Sequence, residues 1–201
     1  MKNTIIKDTI ILTLITLIAG GVLGLVYEIT KDPIAKQQEL AKQEAYKAVF
    51  EDADTFEVCV EAEDADLAAY LAGEGFEAQT VNEIMEAKDA SGETLGYAIN
   101  LTTSEGYGGD ITFSMGVQAD GTLNGISILT ISETAGLGMN ADKPEWKGQF
   151  AGKKAEVFSV TKDGATSDDQ INAISGATIT SRAVTNAVNA AVYFVDNCLA
   201  Q

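Results

Sequence analysis

The 201-residue sequence contains no histidine, two cysteines, two prolines and one tryptophan. Without histidine the chain lacks the commonest general base, the commonest transition-metal ligand and the usual haem ligand. Cys59 and Cys198 stand far apart, and neither belongs to a C-x-x-C pair. An iron–sulfur cluster or structural zinc held by this chain alone is thereby excluded, and the two cysteines read as buried thiols. Cations are scarce too, with 13 Lys and Arg against 30 Asp and Glu for a formal net charge of −17. Nucleic-acid affinity comes from cations that displace phosphate counterions, so no nucleic-acid partner is expected. The acidity reads as a solvated, self-repelling surface. Any redox chemistry here would have to come from an organic cofactor.

Charge is missing altogether from Thr9 to Tyr27, TIILTLITLIAGGVLGLVY. About 20 apolar residues at 1.5 Å per residue match the hydrocarbon core of a bilayer. The run is long for a signal peptide, and no A-x-A site precedes Glu28. An uncleaved single-pass anchor over 9–27 is the expectation, after a short terminus at 1–8. Lysines flank both ends (Lys2 and Lys7 before, Lys31, Lys36, Lys42 and Lys47 after), so lysine counting leaves the orientation open. Gly20 and Gly24 form a G-x-x-x-G that lets another helix approach. Pro33 is expected to start a separate polar helix, a stalk over 28–50.

Residues 51–91 form an acidic segment, weakly patterned over 51–80 apart from a short helix expected over Asp64–Gly73 with Leu67, Ala68, Leu71 and Ala72 on one face. Farther on, Leu95, Tyr97, Ile99 and Leu101 alternate with small or polar residues, as do Ile111, Phe113, Met115 and Val117. That period predicts antiparallel strands with one buried and one solvated face. Asp120-Gly121 supplies a tight hairpin turn, and Ile126 and Ile128 begin the return strand. Glu156–Val160 reads as a short strand followed by a second hairpin turn at Asp163-Gly164. Val184, Val188, Ala191, Val192 and Val195 fall at helical spacing and predict an amphipathic closing helix. The fold class is α+β, with the main domain over 92–201.

The stretch with the most chemical content is Ile174-Ser175-Gly176-Ala177-Thr178-Ile179-Thr180-Ser181, just before that helix. Small residues admit a ligand close to the backbone, and Gly176 reaches conformations closed to other residues. Thr180 or Ser181 reads as the N-cap. The free amides of a helix start attract anions, so a phosphate is the natural guest. From the residues alone, an anchored domain that binds or senses a phosphate-bearing ligand fits this loop.

Ser175-Gly176-Ala177-Thr178 followed by Ile-Thr-Ser resembles the flavinylation motif of the FMN-binding domain family. Three other segments match in the same order: Glu105-Gly106-Tyr107-Gly108-Gly109, the strand and Asp120-Gly121 turn after it, and Glu133-Thr134-Ala135-Gly136-Leu137-Gly138. Together they cover about residues 92–199. Two departures stand out: Ala135 where the family has Pro, and Asn172 where it has Asp. The resemblance implies FMN covalently bound by a phosphoester to Thr178, attached by a flavin transferase that takes it from FAD. Ser175, Gly176, Ala177, Thr180 and Ser181 would surround the phosphate. Tyr107, Gly108, Glu133, Thr134, Gly136, Leu137 and Gly138 would shape the ring pocket, with Glu133 bonding the flavin or a loop amide. Asp163-Gly164-Ala165-Thr166 imitates the motif, but it lacks the Ser and is followed by Asp168 and Asp169, which would repel a phosphate.

Short single-anchor chains of this layout resemble the G subunits of Rnf-type ferredoxin:NAD oxidoreductases; the C subunits of sodium-translocating NADH:quinone oxidoreductases are similar but longer. The implied function is electron transfer within a membrane complex that drives ion translocation, alongside other membrane and redox subunits and without a catalytic acid or base. The implied orientation has the amino terminus in the cytoplasm and the domain, with 51–91 as its amino-terminal part, outside the cell membrane.

Overall fold

A computed structural model describes residues 2–60 and 65–199. They form two compact units, Met1–Ala41 and Lys42–Gln201. Over its described residues the first is helix, part of α1 (Lys2–Val49). Its apolar side chains, Ile10 to Val26, are exposed, and it is long and apolar enough to cross a membrane. Hydroxyls within the apolar run are satisfied by the helix itself. Thr9 donates to the Ile5 carbonyl at 2.9 Å and Thr13 to the Thr9 carbonyl at 2.8 Å, so neither polar group would enter a bilayer unpaired. Pro33 does not begin a new helix as expected but lies inside α1. Proline costs the helix one donor there, and the regular turns on both sides carry it through.

In the second unit, five strands run as an antiparallel meander in sequence order: β1 (Thr55–Val60), β2 (Gln79–Lys88), β3 (Thr94–Thr103), β4 (Ile111–Gln118) and β5 (Leu123–Ile131). The acidic segment thus supplies β1, β2 and α2 (Ala65–Gly73). β2 pairs along β3, so there is no break in the fold at residues 91 and 92. Asp64 and the side chains of Leu67 and Ala68 lie outside the described residues; Leu71 is buried as expected, whereas Ala72 is exposed. Both cysteines are free but exposed, not buried. Cys59 sits on the edge strand β1 and Cys198 in the last turn, at the margins of the packed core.

Both faces of the central sheet are covered, contrary to the one-sided pattern expected. One face bears Ile84, Ile99, Leu101, Phe113 and Met115 and meets α4 (Thr178–Phe194), through Ala183, Val184, Ala187, Val188 and Ala191. Each fully buried valine contributes about 1.5–3 kcal/mol, and the interspersed alanines let the helix lie close. The other face presents small residues, Ala87, Ala98 and Gly116, to Tyr46, Val49 and Phe50. A Cβ at Gly116 would stand 2.9 Å from the Val49 carbonyl. Tyr46 also donates its hydroxyl to Glu83 at 2.7 Å, and Lys42 pairs with the same carboxylate at 2.8 Å. Because the small residues alternate with large ones, the sequence imitates a solvated face.

The Asp120-Gly121 turn forms as expected, with Gly121 at φ 87° and Asp120 accepting the Thr122 amide at 2.9 Å. The second expected hairpin does not. β6 (Ser159–Thr161) and β7 (Gln170–Asn172) pair in parallel, so residues 162–169 form a return loop. Asp-Gly fits many turns, and only strand pairing distinguishes them.

Candidate functional site

In the sheet register Thr103 lies opposite Ile111 and Ile111 opposite Ile131. The loops 104–110 and 132–138 therefore leave the sheet at the same end, where α4 begins. Between them lies a cavity of about 780 Å³, within the range of small-molecule and cofactor sites. Its walls come from Tyr107, from Glu133, Thr134, Leu137 and Gly138, from Lys162, and from Ala173 to Thr180.

The motif loop is an arch held from below. Helix α4 starts at Thr178 with Ala177 as its N-cap, not at Thr180 or Ser181 as expected. Ser181 instead lies one turn inside, fully buried; its Oγ accepts the Ile174 amide at 2.9 Å and donates to the Ala177 carbonyl at 2.9 Å. Gly176 crosses the arch at φ 76°, a region that favours glycine. The Ala177 cap makes no side-chain hydrogen bond, and the first amides of a helix have no intrahelical acceptor. The amides of Thr178, Ile179 and Thr180 are thus left for an anion. Thr178 is half-buried and Thr180 is only 1% exposed. Both line the cavity, and among the described residues neither hydroxyl has a hydrogen-bond partner.

On the opposite wall, Glu133 is buried and its Oε1 accepts the Tyr107 amide at 2.7 Å. The loop amide, one of its two expected partners, is the one it holds. Gly138 is the point of closest approach: a Cβ there would stand 2.7 Å from Glu133 Oε2 and from Thr180 Oγ1. Any larger residue would fill the cavity floor.

Tyr107, Glu133, Thr134, Leu137, Gly138, Ser175, Gly176, Ala177, Thr178 and Thr180 line the cavity. Gly108, Gly136 and Ser181 do not. Gly108 packs where a Cβ would collide with the Ser132 carbonyl, and Gly136 turns at φ 77° and gives its carbonyl to Asn140. Sequence reasoning passed over Lys162, Ala173, Ile174 and Ile179 as wall residues. Lys162 arrives only through the β6–β7 pairing, which the hairpin reading of Asp163-Gly164 concealed. The imitation motif lies elsewhere: the Thr166 hydroxyl donates to Gln170 at 3.2 Å, and Asn172 Oδ1 accepts the Ala165 amide at 2.6 Å. An aspartate at residue 172 could accept the same bond.

The FMN-binding domain model matches residues 106–193, and the RnfG N-terminal region model matches residues 1–49. The G subunit of the proton-translocating ferredoxin:NAD(+) oxidoreductase complex of Clostridium ljungdahlii is 34% identical over 191 residues, 95% of this chain and 91% of its own length. The chain belongs to the family of G subunits of ion-translocating oxidoreductase complexes. Within the same family, the G subunit of the Na(+)-translocating ferredoxin:NAD(+) oxidoreductase complex of Acetobacterium woodii is 32% identical over 199 residues, 97% of this chain and 93% of its own. Among solved structures, Shewanella oneidensis NqrC aligns with a TM-score of 0.46 and 23% identity, over 56% of this chain and 54% of that one.

The residues present fit an FMN. The cavity is large enough, a glycine floor leaves its width free, and unpartnered hydroxyls and helix amides meet at the end where a phosphate would sit.

Proposed function

We propose that this chain is the membrane-anchored electron-transfer subunit of an ion-translocating complex of the ferredoxin:NAD oxidoreductase type, carrying FMN as a phosphoester on Thr178. The observation that supports this most is the Thr178 hydroxyl itself: half-buried, unpartnered, at the first position of α4 and on the wall of the cavity. Thr166, with its hydroxyl engaged by Gln170, offers no such geometry.

When bound, FMN supplies the electron-accepting and electron-donating chemistry that no side chain of this protein provides. The chain's own part is positional. Helix amides and the Thr180 hydroxyl receive the phosphate, Ser181 fixes the arch beneath it, and Glu133 holds the Tyr107 loop as the opposite wall. No proton need be moved by a side chain during electron transfer, which agrees with a site free of histidine.

Residues 9–27 serve as the anchor and 1–8 as the cytoplasmic terminus, with 28–201, including the 28–50 stalk, outside the cell membrane. The other redox centres belong to partner subunits, and a flavin transferase matures the chain. Protease added to cells stripped of any outer wall layer should digest 51–201; protection of that segment would reverse the orientation.

Co-expression with a flavin transferase should add the mass of one FMN less one water, and Thr178→Ala should abolish the gain. Adduct that persists in that variant, or maps to Thr166, refutes the assignment. A cavity that holds free phosphate and never gains the adduct would instead support the ligand-sensing class.

A further inference from the structure

We propose that Lys162 is the ionic partner of the flavin phosphate, pairing with it before and after its esterification and accelerating that step. The inference rests on Thr178 being the acceptor.

Lys162 is the one cation among the described residues that line the cavity. Its position follows from the backbone. β6 and β7 pair in parallel up to Thr161 and Asn172, and the Ala173 amide then donates to the Thr161 carbonyl at 2.7 Å. That bond sets Lys162 beside Ala173 and Ile174, the two residues that lead into the Ser175–Thr178 arch. No hydrogen bond or ion pair engages its ammonium among the described residues. Lys147 pairs with Asp142 at 2.7 Å, Lys153 with the Gln170 carbonyl at 2.6 Å and Lys154 with the Asp120 carbonyl, and none of these three lines the cavity.

A second, independent feature marks the same spot. The Thr180 hydroxyl, in a residue 1% exposed, has no protein partner among the described residues and lines the cavity beside the free amides of α4. Amides and hydroxyls solvate an anion but do not neutralise it. A chain of formal charge −17 repels an incoming dinucleotide, so a local cation changes the balance most where charge must be delivered. In the step itself, Thr178 Oγ1 bonds to the flavin-side phosphorus of FAD while that phosphorus loses its bond to the bridging oxygen. AMP leaves with that oxygen, and the hydroxyl proton is released. The product phosphodiester keeps one negative charge for Lys162 to hold.

The test uses the full chain co-expressed with a flavin transferase. Flavinylation is followed by intact mass for wild type, Lys162→Gln, Lys162→Arg and Thr178→Ala. Amine reactivity toward acetic anhydride is then compared between flavinylated wild type and Thr178→Ala, with Lys47 as the internal reference. Lys162→Gln should gain FMN on the order of tenfold more slowly, the worth of one charge-assisted hydrogen bond, and Lys162→Arg should restore most of the rate. Lys162 should be acetylated several-fold more slowly in the flavinylated chain, with Lys47 unchanged. Equal Lys162 reactivity in both forms overturns the pairing even if Lys162→Gln is slow, because the lysine would then serve the transferase. A normal Lys162→Gln rate overturns it too. No adduct on wild type removes the Thr178 reading and this inference together.

Discussion

The Ser181 hydroxyl accepts the Ile174 amide at 2.9 Å while donating to the Ala177 carbonyl at 2.9 Å. One buried oxygen thereby ties both ends of the motif loop to the first turn of α4. Sequence alone suggested a helix cap facing the ligand, whereas the structure gives Ser181 a place beneath the loop. Thr178 and Thr180 are left on the cavity side.

Ser181→Ala should therefore damage the arch without touching the acceptor. It orphans the Ile174 amide in a residue only 6% exposed, and a buried donor without a partner costs about 1–3 kcal/mol. Urea unfolding of the full chain in detergent should show that loss, together with slower flavinylation of an intact Thr178. An unchanged midpoint would mean that water or a backbone shift replaces the hydroxyl.

Much of this molecule was legible from residue order, and the failures share a cause. Val184, Val188 and Val195 announced the closing helix, and Asp120-Gly121 its hairpin, because both signals are local. β2 was missed because Glu83, Glu86 and Lys88 look like a solvated segment. In the fold Glu83 meets Tyr46 and Lys42, and Glu86 meets Thr94. The second sheet face was misread because its residues are small, and their burial depends on Tyr46 and Phe50 arriving from far away in sequence. At the site, Ser175 to Thr180, Glu133 and Gly138 stood out as motif residues. Lys162 did not, since a parallel pairing of three-residue strands leaves no periodicity to read.

Gly138 and Gly136 belong to the same loop and have different reasons for being glycine. A Cβ at Gly138 would press on Glu133 and Thr180 at 2.7 Å, whereas Gly136 has open space but φ 77°. Gly138→Ala should cost about 1–3 kcal/mol by overpacking, and Gly136→Ala about 1 kcal/mol through its backbone. Only the first should push Glu133 off the Tyr107 amide. Hydrogen exchange at Tyr107 should accelerate in Gly138→Ala and stay near wild type in Gly136→Ala. Equal exchange in both variants would detach Glu133 from the packing at Gly138.

Acid should weaken the domain through carboxylates far from the cavity. The Thr94 hydroxyl, and after it Lys88, hold the Glu86 carboxyl below its ordinary value of 4.5. Asp89 is lowered chiefly by the Ser91 hydroxyl, and Asp120 chiefly by the Thr122 amide. A carboxylate whose folded pKa is depressed binds protons more readily when unfolded. Its contribution is complete above the unfolded value and disappears as pH falls through the folded one. Stability should hold at neutral pH and decline below the ordinary carboxylate range. Thr94→Val isolates one member of the set, because it removes the principal donor to Glu86 and nearly preserves shape. The deficit of that variant against wild type should be largest above pH 4.5 and shrink as Glu86 takes up its proton. Urea midpoints measured for both chains down to about pH 2 would decide it: a deficit that stays constant over the whole range would show that Thr94 contributes by packing, not through the charge on Glu86.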